Sequence, residues 1–235
     1  MRVLLCDAYR LFAEAFAAVL AQRGHDVVGL CFDPRTLPDS APVEADICVA
    51  DFGPPAGDLN RLADAANLHS ARTLALTSEE AARPLHALIT AGVDGLISKR
   101  RSLEEIITAI DRLHTGSGYY DPVLVRHAVA GRPPELKPGA QVLTSALTPR
   151  EREVLTQLVR GVSTGGMAAA MGISVTTVRT HTQSVLNKLG VNSRLQAAAC
   201  AVSYGLVEPT VQGNGSRSGS TQPARAASDA SVVEV

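Results

Sequence analysis

No apolar run in this 235-residue chain approaches the roughly 18 residues that a membrane-spanning helix needs, and the opening Val3, Leu4 and Leu5 are stopped by Asp7 too soon for a secretory core. The expectation is a cytoplasmic protein with no membrane partner. The four cysteines, Cys6, Cys31, Cys48 and Cys200, form no C-x-x-C pair, and three of them interrupt apolar strand-like runs, which reads as buried, reduced thiols. Enzyme signatures are missing too. There is no H-E-x-x-H and no Ser-His-Asp spacing, and the loop from Ala8 to Leu11 has no Gly, Ser or Thr to cradle a phosphate. A small flavodoxin-like enzyme therefore ranks far below the other readings, with no catalytic residue and no required cofactor. The histidines are scattered; His25 and His86 read as structural or solvated, and only His181 falls in a motif. Net charge is nearly absent as well, at −1, but the sum hides a division. Residues 1–120 carry 11 Lys and Arg against 16 Asp and Glu, a net of −5, whereas residues 147–207 carry 6 against 2, a net of +4. An acidic front and a basic back suggest two modest domains with different partners.

With 46% apolar and 19% charged residues, the chain can form sizeable cores. Short apolar runs at 2–7, 26–31, 45–51, 72–77 and 95–99 alternate with amphipathic stretches, the pattern of a parallel sheet wrapped by helices. Between 9 and 23, Leu11, Phe12, Ala15, Phe16, Val19 and Leu20 share one helical face, and Gly24 supplies a stop. Between 103 and 114, Leu103, Ile106, Ile107, Ile110 and Leu113 do the same behind a capping box of Ser102 and Glu105. Pro34, Pro38 and Pro42 leave the second unit only a short or irregular turn. The expected architecture is a doubly wound, flavodoxin-like α/β domain over 1–120, with five parallel strands in the order 2-1-3-4-5. A linker over 121–146 follows from the prolines and glycines of Gly131 to Gly139. A small all-α domain covers 147–207, and 208–235 has too little apolar periodicity to offset the entropy of ordering.

In open parallel sheets, sites form beyond the carboxyl ends of the strands, and here Asp7, Asp51, Thr77 and Lys99 end four separate strands. Any one of them alone reads as a solvated strand end. Together, two carboxylates, a hydroxyl and an ammonium form a strand-end pocket equipped to take a phosphoryl group, with Asp51 as the acceptor and Asp7 and Asp51 as metal ligands.

The segments VLLCDAYRLF (3–12), DICVAD (46–51), LALT (74–77) and GVDGLISK (92–99) resemble response regulators of the NarL/FixJ type, and the resemblance runs over residues 2–207. It implies a two-component receiver with the acceptor at Asp51, the hydroxyl at Thr77 and the lysine at Lys99. Two departures stand out. The family usually carries two adjacent acids after the first strand, and the second, a metal ligand, is Ala8 here; the aromatic switch residue three before the lysine is Leu96. Magnesium loses a hard oxygen ligand and a charge and should bind weakly. The expectation is an atypical receiver, controlled without ordinary phosphorylation, by a small molecule or a partner protein where a sensor kinase does not act.

In the back domain, Thr148, Pro149 and Glu151 encode a capped helix over 149–160 that stops at Gly161. Ser163 can cap a second helix through Met171, Gly172 makes the turn, and Ser174 can cap a third over 175–189 before Gly190. Helix, tight turn with Gly, helix is the helix-turn-helix pattern. In the third helix Val178, Thr182, Val185 and Leu189 share a buried face, leaving Thr176, Arg179, Thr180, Gln183 and Asn187 for a major groove. Arg179 and Gln183, four apart, suit guanine and adenine edges, and Thr177, His181 and Lys188 suit phosphates. Pattern alone leaves a solvated basic face as an even alternative.

LTPREREVL (147–155), VRTH (178–181) and KLGVNSR (188–194) resemble a LuxR-type DNA-binding domain, which implies a fourth helix near 194–204 that pairs two copies on an inverted-repeat operator in double-stranded DNA. Thr164, Gly165, Gly166 and Met167 stand where that family has Asn-Lys-Glu-Ile. Two glycines cost up to ~1 kcal/mol each relative to Ala, so the second helix is expected to fray. Two functions follow: a sequence-specific transcription factor acting as a homodimer, or a partner that does not bind DNA and modulates related regulators as a heterodimer.

Overall fold

The computed structural model describes residues 1–32, 44–52, 71–78, 81–130 and 147–207. The front of the chain forms β1 (Arg2–Cys6), α1 (Arg10–Gln22), β2 (Asp26–Cys31), β3 (Ile47–Asp51), β4 (Arg72–Thr77), α2 (Ala82–Ala91), β5 (Gly95–Ser98), α3 (Leu103–His114), β6 (Tyr119–Tyr120) and α4 (Pro122–Ala130). The strands pair in parallel in the order β2-β1-β3-β4-β5-β6. The expected five-strand order is present, and β6 extends it by two residues, too short to register as a periodic run.

The twofold alternation of strand side chains divides the core into two layers. Val3, Leu5, Ile47, Val49, Leu74, Leu76 and Ile97 face α1 and α3, where Phe16, Leu20, Ile106, Ile110 and Leu113 cover them. Leu4, Cys6, Cys48, Ala50, Ala75 and Leu96 face the other way, toward Leu85, Leu88 and Ile89 of α2 and Leu124, Val125 and Ala128 of α4. Ser102 caps α3 in a reciprocal capping box with Glu105.

The expected linker over 121–146 is corrected at its start, because residues 122–130 are helical. The Asp121 carboxylate accepts the Val123 N–H at 3.0 Å, Pro122 has the fixed φ suited to a first helical turn, and burial of Leu124, Val125 and Ala128 rewards the helix. Arg101 holds Asp121 in place through two hydrogen bonds of 2.8 and 3.0 Å. The Pro- and Gly-rich stretch over 131–146, the proline-rich turn expected at 33–43 and the tail over 208–235 lie outside the described residues.

Four helices follow: α5 (Pro149–Val159), α6 (Thr164–Met171), α7 (Val175–Leu189) and α8 (Arg194–Ser203). Thr148, Ser163, Ser174 and Ser193 each accept a backbone N–H from three residues on, so every helix of this unit starts on a side-chain cap. Gly172 and Gly190 end α6 and α7 in the left-handed region at φ 64° and 69°. The expected fraying of α6 is not seen: it is helical from Thr164, anchored by buried Met167, Ala168 and Met171.

The two units share a seam. Leu195 and Ala199 of α8 complete the apolar layer formed by α2 and α4, and Gln196 donates to the Thr90 carbonyl at 2.9 Å. The Gly118 N–H donates to the Gly161 carbonyl at 3.0 Å, and the Arg112 guanidinium reaches the Arg160 and Gly161 carbonyls at 3.3 and 3.1 Å. Gly161 has φ +65°, and a Cβ there would lie 2.4 Å from the Gly118 carbonyl oxygen, so the approach requires glycine.

Candidate functional site

Four strands deliver the first candidate site. Asp7 follows β1, Asp51 ends β3, Thr77 ends β4 and Lys99 follows β5. The Lys99 ammonium bridges both carboxylates, 2.6 Å from Asp7 Oδ2 and 2.9 Å from Asp51 Oδ2. It also lies over the rings of Phe12 and Tyr9, at 4.6 and 5.6 Å from their centroids. Asp7 is held by the Tyr9 N–H at 2.8 Å. Thr77 is fully buried beside them, and its carbonyl accepts the Lys99 N–H at 2.8 Å. The sheet therefore brings together Asp7, Asp51, Thr77 and Lys99, which are far apart in sequence.

The donor set fits a magnesium ion poorly. Magnesium demands near-octahedral oxygen coordination, whereas this pocket has two carboxylates that share one ammonium, and Ala8 adds no side-chain oxygen. Among the described residues no cluster of three or more His, Cys, Asp or Glu is arranged to hold a metal. Leu96 is fully buried in the layer beneath β5. Cys6, Cys31 and Cys48 are buried in that layer and form no disulfide, with Cys6 Sγ 4.0 Å from Cys48 Sγ. Hydrogen bonding to Cys31 and Cys48, with burial, pushes the Cys6 thiol well above the ordinary range and keeps it an unreactive thiol.

The second candidate site is the outer face of α7. Val178, Thr182, Val185, Leu186 and Leu189 are buried against the rest of the helical unit, while Thr176, Thr177, Arg179, Thr180, Gln183 and Asn187 are exposed and His181 is half-buried. Gln183 donates to Asn187 Oδ1 at 2.9 Å, one turn on. Thr177 lies 2.8 Å from the Ser174 hydroxyl at the start of the helix.

Lys188, expected at a phosphate, is paired within the chain. Its ammonium lies 2.7 Å from the carboxylate of Glu151, which is only 5% exposed and also accepts from Ser184 at 2.5 Å and from the Thr148 N–H at 2.8 Å. Burial works against the charged carboxylate, and the Lys188, Ser184 and Thr148 bonds outweigh it, holding Glu151 down at about 2. In the sequence Glu151 reads only as the third position of a capping box, and the 37-residue gap to Lys188 conceals the pair.

Residues 145–201 match a family described as bacterial regulatory proteins of the luxR family. The transcriptional regulatory protein UhpA of Salmonella typhimurium is 30% identical over 153 residues, which cover 65% of this chain and 71% of UhpA. The response regulator protein VraR of Staphylococcus aureus is 33% identical over 143 residues, covering 60% of this chain and 66% of VraR. Among solved structures, the response regulator ChrA of a heme-sensing two-component system aligns over 87% of this chain and 98% of its own, at 25% identity and a TM-score of 0.47. Among the described residues no helix is long and apolar enough to cross a membrane.

Proposed function

Because the chain belongs to the NarL/FixJ-type response regulators, transcriptional regulators in which a receiver domain precedes a LuxR-type DNA-binding domain, we propose that it reads a specific operator with the outer face of α7 and that its receiver works without ordinary phosphorylation. One observation carries the first part. Arg179 and Gln183 stand exposed one turn apart on a helix whose other side is locked into a core, so their backbone is rigidly presented, and Gln183 can exchange its bond to Asn187 for a base edge. Thr176, Thr180 and Asn187 extend that face, and Thr177 and His181 flank it for phosphates. A frayed α6 favours a partner that does not bind DNA, and a formed α6 with buried Met167 weakens that reading.

Two copies on an inverted repeat is the assembly proposed, through α8 or the receiver, with a homodimer first and a heterodimer with a related regulator second. On the receiver side, Lys99 pairs with both Asp7 and Asp51 and offsets one of their two charges, and Ala8 leaves magnesium at most weakly held. Control by a small molecule or a partner fits this pocket better than a sensor kinase does.

The test is selection of bound sequences from random duplex DNA with the whole protein, with Arg179→Ala and with Asp51→Asn. Enrichment of an inverted repeat that is lost on Arg179→Ala and kept on Asp51→Asn is the expected result, and no enrichment by the wild type at low salt would refute sequence-specific binding. For the receiver, Ala8→Asp restores the missing oxygen. A small-molecule phosphodonor with magnesium should label Ala8→Asp at least tenfold faster than the wild type, and comparable labelling of both would remove the case for atypical control.

A further inference from the structure

The seam between the two units encloses a recess of about 370 Å³ that involves neither the strand-end carboxylates nor the outer face of α7. Its volume falls in the range of small-molecule sites, about 300–1,000 Å³. The receiver contributes Arg72, Asp94, Ser117 and Tyr120, and the helical unit contributes Thr182 and Arg194. Two guanidiniums thus face one carboxylate. Asp94 accepts the Thr73 N–H at 2.9 Å, and burial raises its carboxyl above the usual range against that bond and the opposite charges of Arg72 and Arg194. Burial lowers the Arg194 guanidinium from its ordinary value, with the like charges of Arg72 and Arg179 adding to it and Tyr120 and Asp94 opposing it. Two guanidiniums against one carboxylate leave one positive charge in excess along the wall.

A second observation is independent of charge. Thr182 lines the recess and is 7% exposed, yet its hydroxyl has no hydrogen-bond partner among the described residues. A buried hydroxyl left unpaired costs about 1–3 kcal/mol, a cost that a turn of the side chain toward an acceptor in the recess would relieve. Asn192 and Ser193 at the start of α8 line the same recess, which places the positive end of a ten-residue helix against it.

We propose that this recess binds a small molecule bearing an oxyanion, a phosphate or a carboxylate group, held between Arg72 and Arg194. Guanidinium forks suit both groups, because each presents paired oxygens. The occupant is a small molecule rather than a duplex. Thr182 and Leu186 line the recess from the buried side of α7, whereas a duplex read by Arg179 and Gln183 lies on the exposed side. Because the walls come from both units, occupancy ties α7 and α8 to the receiver. The inference goes beyond the proposed DNA reading and can fail separately from it, since its readout requires no DNA.

The experiment is calorimetric titration of the full-length protein with inorganic phosphate and, in a separate arm, with succinate, both at fixed ionic strength. Saturable one-to-one binding of at least one anion is expected, and the arm that binds identifies the group. Arg72→Ala should weaken that binding at least tenfold, while Arg126→Ala, at an exposed arginine outside the recess, should leave it unchanged. Arg194 also donates to the Thr164 hydroxyl, so its removal can disturb α6. Ser117→Glu, which sets a carboxylate in the wall and leaves the helices untouched, serves as the second variant and should likewise abolish binding. Absence of saturable binding in both arms, or equal binding by wild type, Arg72→Ala and Ser117→Glu, would overturn the proposal.

Discussion

At the scale of single residues, the three most consequential carboxylates are handled by two lysines brought from far along the chain. Lys99 bridges Asp7 and Asp51, and Lys188 pairs with Glu151. A buried charge is tolerable only when paired and hydrogen-bonded, and Glu151 meets that condition with Lys188, Ser184 and Thr148. The consequence is a pH dependence of definite sign. The folded Glu151 sits at about 2 against an ordinary 4.5, so the folded state binds its proton more weakly than the unfolded chain does. Its stabilisation is present in full above about 4.5 and is lost as pH falls from there toward 2. Glu151→Gln should lower the melting temperature at neutral pH and also flatten its decline between pH 5 and 3, relative to wild type. Thermal denaturation across that window checks it, and parallel wild-type and variant curves would show that Glu151 does not carry the acid sensitivity.

At the scale of elements, α6 combines a strong cap with two poor helix formers. Its glycines are not equivalent. A Cβ at Gly165 meets nothing within 4 Å, whereas one at Gly166 would lie 3.0 Å from Val162 Cγ1 and 3.2 Å from the Ser163 hydroxyl that caps the helix. Gly165→Ala should therefore stabilise the protein by about 0.5–1 kcal/mol through the unfolded chain's lost freedom. Gly166→Ala should gain less or destabilise, because its neighbours must yield. Chemical denaturation of both variants separates the two outcomes, and equal gains would mean that the cap relaxes freely. Elements of this kind are what sequence pattern reads well. The bounds of α3 and α7 are fixed by Ser102 with Glu105 and by Ser174 with Gly190, local signals within a few residues of where they act. The strand-end pocket was legible for a related reason, since a parallel sheet must gather the carboxyl ends of its strands. The Glu151–Lys188 pair, the short β6 and helix α4 were not legible. The first is a tertiary contact, the second is two residues long, and the third stands on a Pro at its first turn just ahead of a stretch rich in Pro and Gly.

At the scale of the whole molecule, the decisive fact is that α8 has two claims on it. Its Leu195 and Ala199 complete the receiver's apolar layer, and its Ala197, Ala198, Cys200 and Ala201 pack into the helical unit, so most of its length is buried within one chain. Pairing of two copies through α8 therefore requires the seam to open, whereas pairing through the receiver does not. Arg112 is the residue with which to test this. Its guanidinium lies 5.7 Å from the Tyr119 ring centroid and donates across the seam to two carbonyls, at 3.3 and 3.1 Å, and burial lowers its pKa from the ordinary value. Arg112→Ala removes those bonds without touching the apolar layer beneath α8, and hydrogen bonds from a charged donor contribute about 1.5–3 kcal/mol each at most. Amide hydrogen exchange in α8 should then accelerate by about tenfold or more while α5 and α7 keep their protection. If α8 is the pairing surface, the same substitution should strengthen dimer formation measured by analytical ultracentrifugation. If exchange in α8 accelerates and dimerisation does not change, the pairing surface belongs to the receiver, and α8 serves to fasten the DNA-reading unit to it.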